Sequence, residues 1–130
     1  MIDYEVQIFN KVHAVVAPLC AGKKVVSKQI VSPTAFPAVS LIELDNTTVR
    51  NRQSSTPIEN YALLTYQLDV YAKKKSECRS VFAAADDMML KLNFSRMSGR
   101  YIDNPGNPDV FRYTARYEAE VDQQGNIYRR

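Results

Sequence analysis

Two long runs of alternating apolar and polar residues dominate the chain. Over residues 59–71, Ala62, Leu64, Tyr66, Leu68 and Val70 alternate with Thr65, Gln67 and Asp69. Over residues 110–121, Phe111, Tyr113, Ala115, Tyr117, Ala119 and Val121 alternate with Arg112, Thr114, Arg116, Glu118 and Glu120. Successive side chains of a strand point to opposite faces, so each run predicts a strand with one core face and one polar, charged face. Both exceed the usual strand length of ~5–6 residues, which implies a wide sheet presenting a charged face.

Helical spacing takes over elsewhere. Over residues 3–17, Val6, Phe9, His13 and Val16 form one apolar row and Ile8, Val12, Val15 and Leu19 the next, a stripe wide enough to lie on a sheet. Asp3 is the expected cap and Pro18 the expected stop. A second helix should start at a Ser76 cap and bury Cys78, Val81, Phe82, Ala85, Met88, Met89 and Leu92. That pattern leaves Asp86 and Asp87 off the stripe, towards solvent or a neighbouring subunit, with Asn93 as a left-handed cap at the end. Short strands are expected at 24–31, 38–44 and 94–102, the last interrupted at Ser98-Gly99.

Residues 45–57 are polar and aperiodic and predict a long flexible loop carrying Arg50, Arg52 and Gln53, expected to become ordered on assembly. The expected fold is one domain over residues 1–130. Its class is α+β, an antiparallel or mixed β-sheet with two helices packed on it. The element order is helix, two strands, the long loop, strand, helix, two strands.

Composition changes this picture little. In 130 residues, 45% hydrophobic and 24% charged content are ordinary for a globular chain, and the net charge of +3 demands no nucleic-acid footprint. No apolar run approaches the ~18 residues of a membrane span. Cys20 and Cys78 are far apart in sequence, with no CxxC spacing and no secretory leader ahead of them, and read as reduced, buried thiols. Eight tyrosines and no tryptophan are present. Tyr61, Tyr71, Tyr101 and Tyr128 fall outside the apolar rows, where they suit either a protein interface or packing on the sheet surface.

Catalytic equipment is sparse. His13 is the lone histidine and sits on an apolar row, so it reads as a core or boundary residue. No nucleophile elbow and no glycine-rich phosphate loop occur. The best enzyme lead is a metal-dependent nuclease using Asp109, Glu118 and Glu120, but Val121 stands where its lysine would be. Arg112 and Arg116 on the same strand face favour ion pairing or an interface instead. No catalytic, cofactor-binding or metal residue is assigned.

Several short segments then carry a resemblance. Ser32-Pro33-Thr34-Ala35-Phe36-Pro37-Ala38-Val39, Glu59-Asn60-Tyr61-Ala62, Tyr71-Ala72-Lys73-Lys74-Lys75, Leu92-Asn93-Phe94-Ser95-Arg96, Arg112-Tyr113-Thr114-Ala115-Arg116-Tyr117 and the closing Gly125-Asn126-Ile127-Tyr128-Arg129-Arg130 run in order along the chain. Together they resemble the tail-completion, or tail-terminator, proteins of the head–tail joining region of long-tailed bacteriophages and prophages. Relatives often carry glycine where this chain has Asn93, which tolerates the same cap.

The resemblance implies a non-enzymatic virion protein, assembled in the host cytoplasm. It would form a homo-oligomeric ring, commonly a hexamer, at the head-proximal end of the tail tube, ending tube growth and joining tail to head connector. Its partners would be further copies of itself, the tail tube protein and the head–tail connector protein, with no membrane and no sequence-specific nucleic acid. Arg50, Arg52, Gln53, Tyr61, Arg112, Arg116, Glu118, Glu120, Tyr128 and Arg129 are the expected interface residues. A metal-dependent nuclease or a nucleic-acid-binding module is the alternative.

Overall fold

The computed structural model describes residues 1–20, 25–28, 35–49, 60–102 and 109–129. In chain order they form α1 (Glu5–Val16), a 3-10 turn (Ala17–Leu19), β1 (Val25–Val26), β2 (Ala38–Thr48), β3 (Tyr61–Ala72), α2 (Lys75–Lys91), β4 (Ser95–Ile102), β5 (Phe111–Asp122) and β6 (Ile127–Arg129). The strands make one mixed sheet in the order β1-β2-β3-β5-β4, with β6 extending the β4 side of β5. Only the β1–β2 pair is parallel. This is the expected α+β fold with two helices on a mixed sheet.

The two alternating runs are the central strands, and their register explains the core. Ala62, Leu64, Tyr66, Leu68 and Val70 of β3 lie opposite Val121, Ala119, Tyr117, Ala115 and Tyr113 of β5, all on one face. Both helices cover that face. Ile8, Val12 and Val16 from α1 and Cys78, Val81, Phe82, Ala85 and Met89 from α2 join those strand residues in a single buried cluster, with half-buried Tyr113 packed against it. Burying such a set removes enough apolar area from water to hold two layers together.

Several boundaries differ from the sequence pattern. α1 is capped at Tyr4 with no side-chain cap bond, although the Asp3 carboxylate accepts the Glu5 N–H at 3.2 Å. Its buried stripe is narrower than expected: Val6 is 67% exposed and Leu19 49%. α1 stops at Val16, just ahead of Pro18 as expected, and Pro18 sits inside the 3-10 turn that follows, where its missing N–H is harmless. α2 begins at Lys75 behind Lys74, so Ser76 lies within the first turn and caps nothing.

β2 runs on to Thr48 across a bulge between Glu43 and Asp45, so the first four residues assigned to the long loop are strand. Pairing with β3 supplies their backbone bonds, which polarity alone does not forbid. The remainder of that loop, including Arg50, Arg52 and Gln53, lies outside the described residues. Of the expected 24–31 strand, Val25–Val26 form β1 and Ser27 and Lys28 a bend, while residues 24 and 29–31 lie outside the described residues. β4 spans Ser98-Gly99 without a break and instead bulges between Arg96 and Ser98. The tail contributes β6, a strand the pattern did not predict.

Candidate functional site

No helix among the described residues covers the second face of the sheet, and the charged rows lie there. Arg112, Thr114, Arg116, Glu118 and Glu120 of β5 stand opposite Tyr71, Asp69, Gln67, Thr65 and Leu63 of β3. Ser98 and Arg100 of β4 extend the same face beside Arg116 and Thr114.

At one end this face is closed by internal polar bonds. Asp69 is buried and its Oδ1 accepts from the Arg112 guanidinium at 3.0 and 3.1 Å, while Oδ2 accepts the Gln67 amide at 2.9 Å. A buried carboxylate needs such a partner to offset its lost hydration. Arg112 also lies over the Tyr71 ring, 5.5 Å from its centroid. Ala38, Tyr71 and Val110 form a small second buried cluster there, with Phe36 packed against it. Arg112 therefore holds its own sheet together, and its charge is committed within the subunit.

At the other end, Tyr61 and Tyr128 meet edge to face at 6.1 Å. The Tyr128 hydroxyl donates to Asp122 Oδ2 at 2.9 Å. Asp122 also accepts the backbone N–H of Gln124 and Asn126 and the Asn126 side-chain amide. Burial works against its charged form, but these bonds outweigh it and hold the carboxyl below the usual range. The turn it organises places Gly125 at φ +87°, a conformation that side chains rarely adopt, and a Cβ there would crowd the Tyr4 ring at 3.2 Å.

The remaining expected residues divide. Arg116 is exposed on the open face, in register with Gln67 and Ser98. Glu118 and Glu120 are half-buried beside it, opposite Thr65 and Leu63. Arg129 is on the opposite side of the sheet by register, and its guanidinium donates to the Leu90 carbonyl at 2.8 Å, capping the end of α2. The open face thus unites Tyr61, Arg112, Arg116, Glu118, Glu120 and Tyr128 but not Arg129.

Sequence reasoning missed two carboxylates that serve the core. Asp86 does not face solvent: its Oδ1 accepts the buried Tyr117 hydroxyl at 2.6 Å and its Oδ2 the Arg96 guanidinium at 2.7 Å. Only Asp87 behaves as expected, 67% exposed and 3.2 Å from Lys91. Glu43 Oε1 accepts the Tyr66 hydroxyl at 3.2 Å. Burial raises the Glu43 carboxyl above its usual range, the Tyr66 bond opposes this, and nearby Glu5 and Asp3 add to the rise. The signal lay in the tyrosines, since a Tyr in an apolar row still needs a partner for its hydroxyl.

Among the described residues no three His, Cys, Asp or Glu side chains gather to hold a metal. Asp109 precedes β5 and Glu118 lies far along it; at ~3.3 Å per residue the strand from Phe111 to Glu118 alone spans roughly 23 Å, which separates the two too widely to share an ion. Cys20 and Cys78 are free and buried, and burial pushes both thiols up to about 11, far from a reactive thiolate. The depression beside α2, lined by Lys75, Ser76, Arg79, Ser80 and Ala83, is shallow and open. No described helix is long and apolar enough to cross a membrane.

Fold and surface together define an α+β sheet protein with one helix-covered face and one open, charged face. The same fold occurs in a chain of the virion of a native gene transfer agent particle, with a TM-score of 0.64 at 18% identity, over 92% of this chain and 99% of that one. No protein-family model and no curated protein matches the sequence.

Proposed function

We infer that this chain is a structural virion protein of the tail-terminator type. In this reading copies of it assemble into a ring, a hexamer, on the head-proximal end of a tail tube. One side of the ring stops tube growth and the other meets the head–tail connector. The observation that carries the reading is the fold likeness to a virion chain, which spans nearly the whole length of both molecules. The open charged sheet face is consistent with it, since assembly proteins work through surfaces and need no reacting groups.

The role is tested by deleting the coding region from its virus and imaging the products. The expected result is tube assemblies of uncontrolled length beside unjoined filled heads, restored to normal particles by the supplied protein. Normal particles without it would refute the role.

A further inference from the structure

The sheet has two lateral edges with no described strand beyond them, and the exposed charges around Leu44 and around Met97 differ in sign. On one side the described residues of β1 pair with Val39 and Ser40, and no described strand covers β2 beyond Ser40. On the other side β4 is the last strand along Ser95–Ile102. Each edge is broken by a bulge, and each bulge presents a large apolar side chain. Leu44, 42% exposed, lies between Glu43 and Asp45; Met97, 58% exposed, lies between Arg96 and Ser98. Bulges re-aim side chains at sheet rims.

The surroundings differ in sign. Asp45 is exposed, and Asp3 and Glu5 lie near Glu43, so acidic side chains gather along that stretch of the edge. Beside Met97, Arg100 is exposed, and Arg96 is anchored to Asp86 on α2. Lys75 adds to the same edge, its ammonium 5.1 Å from the centre of the Tyr101 ring. Bulges and charges often keep sheet edges apart, but that defence works best when both edges carry the same sign. Here one copy's acidic edge attracts another's basic edge.

We propose that the β2 edge around Leu44 and Asp45 and the β4 edge around Met97 and Arg100 are the two halves of one contact between successive copies of this chain. The contact is heterologous, head to tail, and such contacts generate rings when the rotation closes. β2 and β4 run antiparallel within the sheet, the alignment that lets two edges approach with matched backbone groups. The proposal rests on the ring reading above and specifies which surfaces make the ring.

The test uses the purified full-length chain and three variants: Arg100→Glu, Asp45→Arg and the double variant carrying both. Native mass measurement gives the oligomer, and circular dichroism checks that each variant is folded. Each single variant should weaken association about tenfold or more, because it sets like charges against each other. The double variant should restore the ring, since every contact then has a swapped but opposite pair. A wild-type ring unmoved by either single change, or singles that fail without rescue in the double, would overturn the edge pairing and leave the ring reading standing. A monomeric wild type would overturn both.

Discussion

Asp86 shows how a single residue joins the two layers. Its carboxylate takes a proton donor from β5 and a cation from β4, though it lies on the helix. Replacing it with Asn leaves a buried tyrosine hydroxyl and a guanidinium poorly matched, so Asp86→Asn should destabilise the chain by about 1–3 kcal/mol in urea unfolding. Asp87→Asn should stay within about 0.5 kcal/mol of the parent, because its partner is exposed. Glu43 gives a prediction with the opposite sign. Its raised proton affinity means the folded chain binds that proton more tightly than the unfolded chain does. The stability it contributes is therefore full below the ordinary carboxylate range and is lost as pH rises through its folded value. Glu43→Gln keeps an acceptor for Tyr66 and removes the charge. It should raise stability at neutral pH by up to about 0.5 kcal/mol and match the parent near pH ~3, as read from thermal melts across pH.

At the scale of elements, β3 and β5 were legible because helices cover one face only, which forces strict alternation on the sequence. α2 was legible for the same reason, its stripe facing β3 and β5. The polar end of β2 was not, because an edge position half-exposed on both sides carries no period-two signal. β6 is too short to show one. Arg129 as a cap on α2 was invisible, since it depends on β6 returning beside the helix end. The commitment of Arg112 to Asp69 was equally hidden, because the two are brought opposite only by the strand register. One element contact offers a sharp test. A Cβ on Gly99 would meet the Tyr113 hydroxyl at 2.8 Å, and that ring is held by Phe82 at 4.2 Å and Tyr101 at 4.8 Å. Gly99→Ala should therefore cost about 1–3 kcal/mol in a denaturant titration, from crowding a clamped aromatic cluster. A neutral result would mean the ring moves aside freely.

For the whole molecule, the helix-covered face holds the subunit together, and the proposed contacts with other molecules fall on the open face and the two sheet edges. The covered face was readable from the sequence as chemistry of packing; the use of the open surfaces came only from resemblance and fold likeness, because exposed charges report no partner by themselves. The most direct measurement is the native mass of the purified full-length chain at micromolar concentration. The account predicts one closed oligomer of defined subunit number, a hexamer, that loosens as salt is raised. A chain that stays monomeric across concentration and salt would contradict it.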